Sequence, residues 1–242
     1  MPKRAAQLQG IVSGMRLRTM QKHLLVCLLC GLASFAALSQ ARAPKPAEQS
    51  ELDAAVLAYS SGLLAPARQA FASLARRGVA AAQYNLAVMH LRGEVPRPDR
   101  AQARRLLVRA ADAGFVTAQF TLGQAMESGE FGPRNLAAAH DWYERAAQAG
   151  SPDAQVAMGT AYFLGRGRSK DALRAAQWYR EAAQRGDVGA MYLVASMYEQ
   201  GDGVPADLRL ARYWYAQAAS GGDEAAPAKL KDIDERLARQ PV

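Results

Sequence analysis

Few residues of this chain have the types that chemistry needs, and their spacing does not assemble a reaction centre. His23, His90 and His140 could carry protons or bind a metal, but none has a partner at metal-ligand or triad spacing. Cys27 and Cys30 both sit inside one uncharged apolar run, Leu24–Leu38, where they read as small apolar fillers. Neither follows the small residue that a lipoprotein signal places before its cysteine. The stretch GRGRSK at 165–170 has the glycine and lysine of a phosphate-cradling loop, yet it joins two helical patterns and lacks the preceding strand. No serine stands in a nucleophile-elbow pattern. These residues predict no catalytic centre, no metal and no cofactor, so the chain reads as a binding protein rather than an enzyme.

Aromatic side chains offer a different chemistry, that of contact. Trp142-Tyr143, Trp178-Tyr179 and Trp214-Tyr215 recur 36 residues apart. Such a row could form a ladder on which a ligand stacks, or it could fill the core of a repeated unit. Recurrence once per unit on an apolar stripe favours packing.

The elements that would position these groups follow from the same period. Ala82, Ala118, Ala154 and Ala190 are 36 apart, as are Gly93, Gly129, Gly165 and Gly201, and Gly114, Gly150, Gly186 and Gly222. A fixed period of this size marks a stacked-repeat protein, and four units follow: 79–114, 115–150, 151–186 and 187–222. Within the first, Ala82, Leu86 and His90 fall on one helical face, and Gly93 follows where that face ends. Asp99, Asn135, Asp171 and Asp207 stand just before a second periodic stretch, where a short polar side chain accepts a hydrogen bond from free helix N–H groups. Ala103, Leu106, Leu107, Ala110 and Ala111 form the apolar face of that second helix. Each unit is thus a helix–turn–helix hairpin whose apolar face is too small to stand alone. Residues 51–78 read as an N-terminal capping hairpin broken at Ser61-Gly62, and 223–242 as a C-terminal capping helix.

Ahead of the stack, basic residues, a 15-residue apolar run and the small residues of SQARA come in the order of a secretory signal over 1–43. A membrane-spanning helix needs about 20 apolar residues, so a removed signal is expected over an uncleaved inner-membrane anchor. The translation start is open among Met1, Met15 and Met20, and residues 44–50 read as a polar linker. The net charge of +8 sits mostly in this leader: residues 1–50 hold seven Lys/Arg and one acid, and the rest holds 23 against 21. A body so nearly balanced predicts no nucleic-acid partner. Arg92, Arg97, Arg100, Arg104, Arg105 and Arg109 do form a local basic run, which reads as a solvated face or as a contact for an acidic partner or anionic lipid.

The motif Ala-x-x-x-Leu-Gly-x-x-Tyr-x-x-Gly, then Asp, then Ala-x-x-Trp-Tyr-x-x-Ala-Ala-x-x-Gly, resembles the Sel1-like repeat, a relative of the tetratricopeptide repeat. Ala190, Tyr198, Gly201, Asp207, Ala211, Trp214-Tyr215, Ala218-Ala219 and Gly222 carry it in the fourth unit. The first unit departs most, with His90 for Tyr, Leu106-Leu107 for Trp-Tyr and no second loop glycine. The resemblance implies an all-α fold, a right-handed α/α superhelix, and a role as an adaptor in the bacterial envelope. Together with the leader it implies an exported, periplasmic scaffold with a protein or peptide partner. Some cysteine-rich relatives, which carry a disulfide in each repeat, are linked to β-lactam binding or hydrolysis. No cysteine follows Cys30, which disfavours that alternative.

First helices of stacked hairpins line the concave side. A helical wheel centred on Ala82, Leu86 and His90 as the packed face leaves the opposite row open. That row predicts a partner groove of Tyr84, Val88 and Arg92; Phe120, Gln124 and Glu127; Val156, Thr160 and Phe163; and Tyr192, Ser196 and Glu199. The competing possibility is that Tyr84, Phe120, Val156 and Tyr192 belong to the core between units.

Overall fold

The structure, a computed structural model, describes residues 43–239. Among them are eleven α-helices and no strand. They are α1 Pro46–Ser60, α2 Leu64–Arg76, α3 Ala80–Leu91, α4 Arg100–Asp112, α5 Val116–Ser128 and α6 Leu136–Gln148. They continue as α7 Pro152–Leu164, α8 Ala172–Gln184, α9 Val188–Gln200, α10 Leu208–Ser220 and α11 Ala226–Ala238. Each helix packs on its neighbours in sequence, which is the connectivity of a right-handed α/α superhelix. The signal segment with its two cysteines and His23 lies outside the described residues.

The helix ends are set locally. The side chains of Asp99, Asn135 and Asp171 accept from the backbone N–H three residues on, at 2.9, 3.0 and 3.0 Å, and Asp207 accepts from Arg209 and Leu210. First helices are capped unevenly: Ser151 and Asp187 cap α7 and α9, while Val79 and Phe115 stand at the same place with no side-chain cap. Gly129, Gly165 and Gly201 stop α5, α7 and α9 in the left-handed conformation, at φ 81°, 68° and 74°.

Alanine builds the interior. Ala82, Ala103 and Ala110, and the residues 36 and 72 further along, have no exposed surface, so helices approach closely and large side chains fill what remains. Leu86, Leu122, Met158 and Val194 are the large occupants on the first helices. Buried residues form three clusters in succession along the stack rather than one centre. That is the packing expected when each repeat contacts its neighbours only.

Two ends close the rod. The segment 44–50, expected as a linker, is helical from Pro46: a proline in the first turn costs no hydrogen bond, and Glu48 reaches back to accept from Lys45 N–H at 2.9 Å. The α1–α2 hairpin is tied by an Arg77–Glu51 ion pair and joined to the next unit by the Tyr59 hydroxyl, which donates to Glu94 at 2.8 Å. At the other end α11 occupies the place of a sixth first helix, with Ala226 and Ile233 wholly buried against α10. Its other faces are charged, as a terminal helix needs.

Candidate functional site

The first helices carry the expected groove, and their geometry divides it. Gln83, Gln119 and Gln155 are buried, and each donates its amide to the carbonyl eight residues earlier: Ala75, Ala111 and Ala147, at 3.2, 3.1 and 3.1 Å. These bonds link the start of one unit to the end of the last. They draw the glutamine side of each first helix inward, and the open face turns with it.

That rotation moves part of the expected row against the partner helix. The Tyr143 hydroxyl donates to Glu127 at 2.8 Å, and Tyr215 donates to Glu199 at 2.8 Å. In the third unit Phe163 replaces the acid, and Tyr179 pairs with the Thr160 hydroxyl at 3.0 Å instead. The first unit has neither group, with Leu91 opposite Leu107. The following unit supplies cations to each acid: Arg166 lies 3.4 Å from Glu127, and Lys229 and Arg236 of α11 lie 3.1 and 2.9 Å from Glu199. Burial pushes Glu199 up, but hydrogen bonds from Tyr215, Lys229 and Arg236 outweigh it and hold the carboxyl below its usual range. Burial pushes the Tyr179 and Tyr215 hydroxyls far above the usual tyrosine value.

Glu127, Thr160 and Tyr192 are therefore buried, and Glu199 is committed to its partners. Tyr84, Phe120, Val156 and Phe163 are half-buried; Tyr84 packs on Phe115 at 5.5 Å, Phe120 on Tyr143 at 5.4 Å, and Tyr192 on Tyr215 at 5.2 Å. As open groove positions Glu127, Thr160 and Tyr192 are corrected to hairpin and inter-unit packing; Tyr84, Phe120, Val156 and Phe163 pack on neighbours with one side and keep the other at the surface. Val88, Gln124 and Ser196 remain half-exposed, and Arg92 is exposed. The wheel missed Asn85, Thr121 and Ala157, which share the outward stripe and are also half-exposed. The signal was available: counting Gln83 and Ala87 as packed turns the open face onto Asn85 and Val88. Gln83 and Ala87 flank the Ala82–Leu86–His90 face in the sequence, and the carbonyl that Gln83 reaches gives its amide a buried partner and fixes how far the packed face extends to that side.

The tyrosines of the Trp-Tyr pairs are core: Tyr143, Tyr179 and Tyr215 are buried, while Trp142, Trp178 and Trp214 stay half-exposed. A Cβ placed on Gly123 or Gly159 would stand 2.6 or 2.7 Å from the ring of Tyr143 or Tyr179, so glycine opens the slot these rings fill. In the fourth unit Ala195 takes that slot, and Tyr215 lies edge-on to Tyr192 at 68°.

The histidines serve packing. His90 Nδ1 accepts from Asp99 N–H at 3.2 Å, which joins the end of α3 to the cap of α4. His140 is buried beneath the third loop, where a Cβ on Gly167 would stand 2.8 Å from its ring. Burial holds both imidazoles below their usual pKa, and Arg168 adds to the effect at His140. The GRGRSK loop borders a shallow hollow of about 380 Å³ between Tyr162, Arg168, Ser169, Lys170, Asp171 and Arg174. Its cations are partly spent within the fold: Arg168 bonds Glu144 at 2.9 Å, and Arg174 bonds the Tyr162 hydroxyl at 3.2 Å. Among the described residues no helix is long and apolar enough to cross a membrane.

The family model of the Sel1 repeat matches this chain four times without a gap, over 80–115, 116–151, 152–187 and 188–223. The chain belongs to the Sel1 repeat family. A Sel1 repeat protein from Oxalobacter formigenes is similar at 34% identity and a TM-score of 0.66, over 69% of this chain and 49% of that one. A protective antigen present in uropathogenic Escherichia coli strains, displaying an SLR fold, is similar at 30% identity and a TM-score of 0.73, over 79% of this chain and 42% of the antigen. The chain thus spans less than half the length of either relative. It matches no curated protein significantly. The Sel1 frame is offset by one residue from the 79–114 register, and both place one hairpin in each unit.

Proposed function

We propose that this Sel1 repeat protein is an exported scaffold of the bacterial periplasm that holds a segment of a protein partner against its first helices. Sel1 repeat proteins are generally scaffolds for protein–protein interaction. The single observation that carries the finer reading is the outward stripe of those helices. Asn85, Thr121 and Ala157 recur at one position of the first three units, and Val88, Gln124 and Ser196 at another in the first, second and fourth, half-exposed and free of net charge; Thr160 and Leu193, at the remaining two places, are buried. Small polar and apolar groups in an evenly spaced row suit an extended or helical peptide, whose side chains they select. The leader supports export, since its order of basic, apolar and small residues is that of a secretory signal.

The test is site-specific photo-crosslinking in cells. A crosslinker at Gln124 or Ser196 is expected to trap one protein, and one at the exposed Gln177 of α8 is expected not to trap it. No adduct, or equal adducts from all three positions, would overturn the groove. N-terminal sequencing of the envelope protein tests export: a start at 40–44 is expected, and a start at a methionine of the leader would make the leader a tether.

A further inference from the structure

Charge separates by helix type along this solenoid. The five first helices, α1, α3, α5, α7 and α9, contain six carboxylates and not one lysine or arginine. The five second helices, α2, α4, α6, α8 and α10, contain eleven arginines, no lysine and four carboxylates. Ten of those arginines are exposed; Arg68 alone is half-buried. A nearly neutral body therefore presents an arginine-rich face, which its overall composition conceals, although Arg100, Arg105, Arg174 and Arg212 are each met by a carboxylate from outside these helices.

The same helices carry apolar side chains in solvent. Leu64, Leu173, Leu210 and Tyr213 are 36%, 55%, 40% and 52% exposed, and these are four of the six large hydrophobics that stand out among the described residues. Trp142, Trp178 and Trp214 lie half-exposed on α6, α8 and α10. Arginine beside leucine, tyrosine and tryptophan is the composition of a surface that lies in a membrane interface: guanidinium binds phosphate, and the apolar groups enter the headgroup boundary.

We propose that the second-helix face docks on an anionic phospholipid surface. A bilayer demands no strict register: Arg68, Arg104 and Arg212 share one position of the repeat and Arg109 and Arg145 another, while the other six arginines each stand at a position of their own. Exposed leucines would add nothing to contact with a nucleic-acid phosphate, whereas they add apolar burial at a bilayer. Asp141 and Glu144 lower the charge at α6, and Arg168 from the next loop lies within 3.6 and 2.9 Å of them. Docking in this way leaves the stripe on the first helices free of the bilayer.

The experiment is co-sedimentation of the processed chain, which starts at residue 44 and holds every described helix, with vesicles of phosphatidylglycerol and phosphatidylcholine, and with phosphatidylcholine alone. The variants are R104E/R105E/R109E on α4 and L210S/Y213S on α10, each checked for native helicity. The basic, apolar leader is absent from all of them, so the binding reads the helical face. Reversing three charges is expected to weaken binding to the anionic vesicles at least about a hundredfold, from about 1 kcal/mol for each arginine lost near an anionic surface. The α10 variant is expected to weaken it less and to diminish the blue shift of tryptophan fluorescence, because Trp142 and Trp178 still reach the surface. Binding that ignores lipid charge, or is unchanged in folded R104E/R105E/R109E, would overturn the proposal. Binding to polyglutamate or duplex DNA with none to vesicles would overturn it in favour of an acidic macromolecule.

Discussion

The Tyr143 hydroxyl meets Glu127 Oε2 at 2.8 Å across the two helices of one hairpin, and both side chains are buried. Such a pair ties second helix to first where the alanine packing leaves space, and the next unit then adds Arg166. Removing the hydroxyl leaves a buried carboxylate short of a donor, which costs about 1–3 kcal/mol. Tyr143→Phe is expected to destabilise in that range by urea unfolding. Glu127→Gln in the same chain is expected to cost less than additively, because both changes strike one contact. Full additivity would mean that the two groups are independent.

The glutamine links between units are weaker by the same logic. Gln119 donates to the Ala111 carbonyl at 3.1 Å, but that carbonyl also accepts from Gly114 N–H at 3.0 Å. The fourth unit manages with Met191 in this place. Gln119→Met is therefore expected to cost no more than about 1 kcal/mol, the typical net worth of one hydrogen bond. A loss well above that would mean that the amide does more than close one acceptor.

Gly203 and Gly222 both have positive φ, at 74° and 90°, but their surroundings differ. A Cβ on Gly203 would stand 2.2 Å from the Ala172 carbonyl carbon, while one on Gly222 would meet nothing within 4 Å. Gly222→Ala is expected to cost about 1–2 kcal/mol, from backbone strain alone. Gly203→Ala adds a backbone clash with the start of α8, so its loss of melting temperature should be clearly the larger. Equal losses would show that the loop relaxes away from Ala172.

Protonation supplies a further test. His140 and His90 have folded pKa values held below the usual 6.5, mainly by burial. The unfolded chain then takes up protons first as pH falls, so stability is full above about 6.5 and declines as pH drops toward the folded values. Glu199 is also held low, below the usual 4.5, so its contribution persists above that pH and is lost in stronger acid. Melting temperature should fall between pH 7 and pH 5, and His140→Gln should flatten that fall. An unchanged slope in the folded variant would remove His140 from the account.

The sequence by itself determined the repeat, its period, the helix ends and the alanine core. Those features are local or periodic: a capping aspartate, a stop glycine and a residue that returns every 36 positions each act within a few residues of themselves. It also carried the helical start at Pro46, in the Glu48 bond to Lys45, although composition alone read that stretch as a linker. Only the tertiary structure decided which side of each first helix is open. That choice depends on Gln83 reaching a carbonyl in the preceding unit and on Glu127 meeting Tyr143 in the other helix. A polar side chain on a helical wheel looks solvent-seeking until its partner is known, and both of these partners lie on another helix. The division of charge between helix types was present in the sequence as well. It becomes a face only when the second helices stand together along one side of the rod, a fact of packing and not of composition.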